Sequence, residues 1–379
     1  MLARLGLFYG FYYAGVGVFQ SYFAPYLRGL GFSGEQIGVV MFAQQAVAAP
    51  AALLWGAAAD RMGAPSRALS IAASGALVAL SGLPLARSPA QVGLVLALSA
   101  AFTGGLVPLV DAATVHAAGP QYARTRLWGS VGFVVTAQAI GVLLAVRGER
   151  RADLAMPVAY LACVVGYAAV AQGFPRALAH PERPHWRDAI ALLRSPMLLL
   201  LFALCAVHWA ALSPYHLMFG VLVRDAGLSS TVTGAGFALG VLAEVGALLA
   251  FPALLERSSL RLLFAAAFVG SAVRWALLAR AQGVAALVLL QLLHGLSFGI
   301  WWGCAVEGMQ RAVPASLRAT GQALFSAIVF GAGNAAGLAL AGAGYDRFGG
   351  ARPLYLWAAA AELLPLALLL PLTGLERRA

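Results

Sequence analysis

Twelve apolar runs follow one another along this chain of 379 residues with gaps too short for anything else. They lie near 5–27, 36–58, 68–86, 91–115, 127–146 and 155–173, and again near 196–223, 232–254, 262–279, 284–305, 319–344 and 354–373. Each approaches the roughly 20 residues that an α-helix needs to cross a bilayer core. In hydrocarbon every backbone N–H and C=O has to be satisfied within its own segment, so such runs are expected to be helical. The expected fold class is an all-α membrane protein of twelve transmembrane helices. Composition agrees, with 61% hydrophobic and 10% charged residues, against about 45–50% and about 25% in soluble domains. A water-soluble enzyme is excluded. The opening Met1-Leu2-Ala3-Arg4 resembles a signal peptide, but its apolar run is too long and no small-residue cleavage site follows, so it is read as the first span.

Charge reports topology. The formal net charge is +11, and every basic side chain is an arginine, scattered through short loops. With the N-terminus inside, fifteen arginines fall in cytoplasmic loops and nine outside, which favours cytoplasmic termini in a bacterial-type inner membrane. That pattern accounts for the charge without nucleic-acid binding. Cys163, Cys205 and Cys304 sit singly in apolar runs, so neither a disulfide nor a metal is expected, and no cofactor is implied. No P-loop, zinc motif or nucleophile elbow occurs.

The two sets of six runs repeat. Adding 196 to a residue number lands on a similar residue: Arg28, Gly31, Ser33 and Gly38 on Arg224, Gly227, Ser229 and Gly234, Asp60-Arg61 on Glu256-Arg257, and Asp111 on Glu307. Two pseudo-symmetric six-helix bundles, 1–173 and 196–379, are therefore expected around a cytoplasmic linker, 174–195. Parallel six-span repeats are the plan of a secondary transporter whose bundles rock about a midplane site.

Gly56-Ala57-Ala58-Ala59-Asp60-Arg61-Met62-Gly63, with Arg67 beyond, resembles the signature loop between spans 2 and 3 of the major facilitator superfamily, its final basic residue displaced. Four further segments, Tyr22–Gly31, Pro108–Asp111, Arg124–Phe133 and Tyr345–Gly349, resemble the superfamily's 3-phenylpropionate permease-like branch, distantly related to lactose permease and nucleoside–proton symporters. The resemblance covers the whole chain.

Ionisable residues deep in apolar spans are expensive and mark solute or ion pathways. Glu244 in span 8, Arg274 in span 9 and His294 in span 10 are read as a proton-coupling set, with the proton as coupling ion. A carboxylate withdrawn from water takes up a proton more readily, and a nearby guanidinium opposes this. Lactose permease is similar in carrying an acid, an arginine and a histidine on these spans, but its second acid one turn later is replaced here by Ser297. The acids nearer the helix ends are read as gate elements with their arginines: Asp60 with Arg61, Asp111 with Arg124 or Arg126, Glu256 with Arg257, and Glu307 with Arg311 or Arg318. In this superfamily spans 1 and 7 line the central cavity, which makes Tyr12, Gln20, His208 and His216 candidate solute ligands. Trp301 and Asn334 join them for their depth.

The expectation is a monomeric secondary active transporter of a small organic solute, working by proton-coupled symport on an aromatic acid, sugar or nucleoside-like compound. A proton-coupled exporter of drugs or siderophores shares the fold. A non-transporting scaffold or sensor is a third reading, against which the midplane ionisable residues count.

Overall fold

The structure is a computed structural model that describes residues 1–174 and 190–372. Most of the expected linker, with Arg176, Arg183 and Arg187, and the terminal Arg377 and Arg378 lie outside the described residues.

Among the described residues, eleven helices are individually long and apolar enough to cross a membrane. They are α1 (Leu2–Gly29), α2 (Gly34–Met62), α3 (Pro65–Leu85), α4 (Pro89–Ala118), α5 (Tyr122–Val146), α6 (Ala155–Gln172), α7 (Pro196–Asp225), α8 (Ser230–Arg257), α9 (Leu260–Arg280), α10 (Gly283–Ala312) and α11 (Thr320–Arg347). The twelfth apolar run forms two pieces, α12 (Ala351–Ala361) and α13 (Leu363–Leu368), separated at Glu362. Pro365 lies four residues beyond Ala361 and has no N–H to return to its carbonyl, which weakens the helix at this point. The twelve-run pattern of the sequence thus appears as twelve crossings, the last of them interrupted.

Helix starts follow local chemistry. Ser33 and Ser88 each accept a hydrogen bond from the backbone of the glutamine three residues on, and Gln36 and Gln91 bond back to the cap backbone. Both α2 and α4 therefore open with a Ser-x-x-Gln capping box that the sequence displays directly.

The chain divides into two compact units. One holds α1 to α6 together with Val223–Ala238, and the other holds the rest of α7, Leu239 onward and the helices that follow. Segment 223–238 thus groups with the first six helices, although the sequence boundary at 174–195 places it in the second bundle. Glu149 explains part of that grouping: its carboxylate accepts from the Ser230 backbone N–H at 2.7 Å and the Ser229 hydroxyl at 3.1 Å, capping the start of α8. Tyr22 donates to the Ala137 carbonyl at 2.6 Å, and Arg224 to the Pro25 carbonyl at 3.0 Å.

Within the first unit α1 packs on α5 and α6, α2 on α4, and α3 on α4 and α6. The α1–α5 contact is backbone-close: a Cβ on Gly132 would stand 2.2 Å from the Gly10 carbonyl oxygen. Lipid supplies no hydrophobic drive between helices, so such small-residue approaches carry much of the association. In the second unit α9 packs on α12 and α10.

The α5–α6 loop contains an ion pair outside the spans. Arg147 Nε donates to Asp153 at 2.8 Å, and Asp153 also accepts from the Ala155 N–H, capping α6. The Arg147 hydrogen bond leads the causes that hold the Asp153 carboxyl below its ordinary value. A lowered carboxyl stabilises the fold above the unfolded-state value near 3.8 and loses that contribution as pH falls through the lower folded-state value. Asp153→Asn should therefore unfold at lower temperature than the parent at neutral pH, with the gap closing in strong acid, as followed by thermal denaturation in detergent across a pH series.

Candidate functional site

Arg274, on α9, is the most demanding side chain in the second unit because it is fully charged and 0% exposed. Its Nη1 donates to His294 Nδ1 and to Ser297 Oγ, both at 2.9 Å, and its Nη2 donates to Gln291 Oε1 at 2.5 Å. The guanidinium also lies 4.2 Å over the Tyr215 ring and 4.6 Å from that of Trp275, which suits a cation held against aromatic faces.

These contacts fix a tautomer. Arginine is only ever a donor, so His294 Nδ1 offers its lone pair, and in the neutral ring Nε2 carries the hydrogen. That Nε2 points toward Glu244 Oε2 at 3.9 Å, beyond hydrogen-bond length but within ion-pair range. Glu244 is 23% exposed in its side chain. The sequence reading pairs Glu244 with Arg274; His294 stands between them in the structure, hydrogen-bonded to Arg274 and 3.9 Å from Glu244.

Close helix approach brings this about. On α10, Gly295, Gly299 and Gly303 recur every fourth residue, and a Cβ on Gly299 would stand 2.7 Å from Ala247 Cβ and 3.0 Å from the Glu244 carbonyl oxygen. The stripe draws α10 onto α8 and carries His294 to Glu244. Residues 295–300 of α10 form a π-helical turn, as do 326–333 of α11, and such stretches often mark functional sites.

His208, expected to line a cavity, is fully buried, with Nδ1 2.8 Å from Glu362 Oε2 and Nε2 2.8 Å from the Ser297 carbonyl. Both ring nitrogens are engaged, so none is left for a solute. Trp301, expected among the solute ligands, is 0% exposed and packs its ring on His208 and Trp209. His216 and Asn334 remain partly exposed, His216 beside Trp209 and with its ring centroid 6.5 Å from that of His294. Leu212, between the two histidines of α7, is buried.

The sequence reading passed over Glu362. It is 1% exposed and accepts from Trp275 Nε1 at 3.3 Å in addition to its histidine contact. A lone acid inside the apolar stretch from Leu354 to Leu372 was the available signal. Gln291 was also missed. It is a buried amide one turn from His294, and a glutamine carries no charge to single it out.

In the first unit a different cluster forms. Asp111 accepts from Tyr9 Oη at 2.5 Å and from Arg126 Nη1 at 3.1 Å. Arg126 also donates to the hydroxyls of Tyr122 and Tyr13, at 2.7 and 3.2 Å. Arg126 is 41% and Asp111 26% exposed in their side chains, so the pair is within reach of solvent. Of the two expected partners, Arg126 is the one that meets Asp111; Arg124 is exposed on the same helix. Asp111 sits seven residues inside the end of α4, about 10 Å along the axis, deeper than a loop contact. Tyr12 packs its ring against Phe8, Tyr13 and Tyr167, and Gln20 is partly exposed two turns further along α1.

The other expected gate residues are peripheral. Glu307 binds Arg311, one turn along its own helix, at 2.7 Å, and Arg318 is exposed, so the nearer arginine takes the pair. Arg61, Glu256 and Arg257 are exposed at helix ends, with Asp60 half-buried beside Arg61. Gly63 closes α2 with a φ of 57°, a left-handed cap that glycine adopts freely.

Under the 196 offset, Glu244, Arg274, His294 and Glu362 fall on Ala48, Val78, Leu98 and Gly166. The buried polar network of the second unit therefore has no counterpart in the first half, although the helices repeat.

Residues 2–356 match the model of the MFS_1 like family. The maltose permease of Geobacillus stearothermophilus is 29% identical over 335 residues, covering 86% of this chain and 83% of that one. A probable 3-phenylpropionic acid transporter of Escherichia coli (strain K12) is 27% identical over 376 residues, covering 97% and 96%. The crystal structure of the nucleoside transporter NupG superposes with a TM-score of 0.86 at 16% identity, covering 98% of each chain, a likeness of fold. A family match over nearly the whole length, on a chain of twelve apolar crossings, places this protein in the MFS_1 like family, as a multi-pass membrane transporter of small solutes and not an enzyme.

Proposed function

We propose that this protein is a proton-coupled symporter that imports a small organic solute across the bacterial inner membrane, as a monomer with both termini cytoplasmic and with the proton in place of any cofactor. The observation that carries this reading is the buried Arg274, which shares His294 with the partly exposed Glu244.

Ionised Glu244 and Arg274 together leave the interior near neutral. A proton on Glu244 leaves the guanidinium charge without that balance, which low-dielectric surroundings penalise. Proton loading thus changes which arrangement of α8, α9 and α10 is favoured, as a coupling site requires. His294, whose Nδ1 accepts from Arg274, cannot take a second proton without giving up that bond, so Glu244 is the proton acceptor of the set.

For the solute, Asp111, Arg126, Tyr9, Tyr13 and Tyr122 offer a better-matched surface than His208 or Trp301. An acceptor and a forked donor stand side by side, ringed by hydroxyl-bearing aromatic faces. Such a surface suits either a hydroxyl-rich solute or an aromatic one carrying a carboxylate, a range that spans the sugar and the aromatic acid in the names of the two relatives. Arg126 would take a carboxylate in exchange for Asp111, and Asp111 would accept from a hydroxyl.

Two measurements follow. In vesicles with an imposed pH gradient, radiolabelled 3-phenylpropionate, maltose and a nucleoside are offered in turn to find the accumulated solute. Glu244→Gln should abolish uphill accumulation of that solute while preserving its exchange; retained uphill transport overturns the coupling assignment, and accumulation driven in the opposite direction would mark an exporter. Arg126→Gln, with Asp111 intact, should weaken solute binding about tenfold or more, by loss of a charge-assisted contact of about 1.5–3 kcal/mol. Unchanged affinity in a binding titration would move the solute away from this cluster.

A further inference from the structure

His208 and Glu362 form a pair that the coupling role of Glu244 leaves unused. Both side chains are 0% exposed. His208 Nε2 faces the Ser297 carbonyl at 2.8 Å, and a carbonyl only accepts, so Nε2 carries a hydrogen. The 2.8 Å contact between Nδ1 and Glu362 Oε2 then needs one more proton. Either His208 is an imidazolium against a carboxylate, or a neutral imidazole accepts from a protonated Glu362. Both descriptions hold one proton between the two residues and leave the pair neutral.

We infer that His208 and Glu362 form a second proton-binding site, occupied by one proton at rest and linked through Arg274 to the proton occupancy of Glu244. The link is structural. Ser297 accepts from Arg274 through its hydroxyl and from His208 through its carbonyl, so one residue of the π turn joins the two clusters. Trp275, next to Arg274 on α9, donates to the remaining oxygen of Glu362. The charged or titratable groups around the pair are Arg274 from α9, His294 from α10, Tyr215 from α7 and Tyr355 from α12, the two tyrosine rings both against Trp275. Phe268 and Trp301 close the imidazole faces, with ring centroids 5.2 and 5.0 Å away.

Charge accounting gives the direction of the link. Arg274 contributes one fixed positive charge, ionised Glu244 balances it, and the His208–Glu362 pair is neutral while it keeps its proton. Protonating Glu244 leaves the interior one charge positive, and release of the proton from His208–Glu362 restores balance. Proton uptake at one carboxyl therefore favours release at the other, and by linkage the reverse holds equally. Neither site exists in the first half, where His208 answers Tyr12 and Glu362 answers Gly166.

The test needs no transported solute, so it can fail while proton-coupled transport stands, and the converse. pH-difference infrared spectra are recorded on the full chain in lipid nanodiscs. The parent should show a protonation change, seen as loss of a carboxyl or imidazolium band, that is absent from Glu362→Gln. In Glu244→Gln the same change should move to lower pH, its proton affinity falling about tenfold or more because Arg274 has lost its other balancing charge. A Glu362→Gln spectrum identical to the parent, or a change unmoved in Glu244→Gln, overturns the inference. Where Glu362→Gln fails to fold, His208→Gln takes its place, since its amide can still donate to the Ser297 carbonyl; the band should then shift or disappear, and an unmoved band counts against the pair.

Discussion

A guanidinium with no exposure, on a helix that crosses a membrane, dictates the chemistry of everything near it. Arg274 cannot shed its charge, and an unpaired charge at such a site is costly enough that neighbouring helices have to bring acceptors to it. α10 brings three, Gln291, His294 and Ser297, across two turns that include a π stretch. α7 and α9 bring the aromatic faces of Tyr215 and Trp275. α8 brings the balancing carboxylate of Glu244 within range of His294, and the glycine stripe on α10 is what permits that approach.

The two halves of the chain share helices but not chemistry. The 196-residue repeat places α7 to α13 on the plan of α1 to α6, yet Glu244, Arg274, His294 and Glu362 stand opposite alanine, valine, leucine and glycine. In the first unit the polar residues form an accessible ion pair among tyrosines, and in the second a buried network closed by aromatic rings. The duplicated scaffold thus carries two different polar arrangements, one within reach of solvent in the first unit and one buried in the second.

Much of the fold was legible because lipid imposes one rule on every span, and the length and apolarity of the runs report it directly. The capping boxes of Ser33 with Gln36 and Ser88 with Gln91 start α2 and α4 slightly ahead of the apolar runs near 36 and 91, because polar cap residues lie outside an apolar count. The triad of Glu244, Arg274 and His294 was legible for a related reason, since charge in hydrocarbon is rare. Glu362 obeys the same rule, but it stands alone in a run that is otherwise apolar from Leu354 to Leu372, with no neighbouring charge to suggest a partner. What periodicity could not supply was direction. His208 and His216 share a face of α7, but a rotation of that helix decides which of them meets solvent, and the partner acid that settles it lies 154 residues away. Asp111 and its tyrosines assemble from α1, α4 and α5, so no local spacing reveals that an apparent gate residue is the centre of a cluster.

The dependence of the second unit on Arg274 can be measured by a double-mutant cycle. Arg274→Gln, Glu244→Gln and the combined variant are unfolded in mixed micelles beside the parent. Arg274→Gln alone should be strongly destabilised, and removal of the Glu244 charge in the same chain should recover part of the loss, with an interaction energy of about 1 kcal/mol or more. Strictly additive losses would mean that the buried arginine and the glutamate do not sense one another, contradicting a coupling network organised around Arg274.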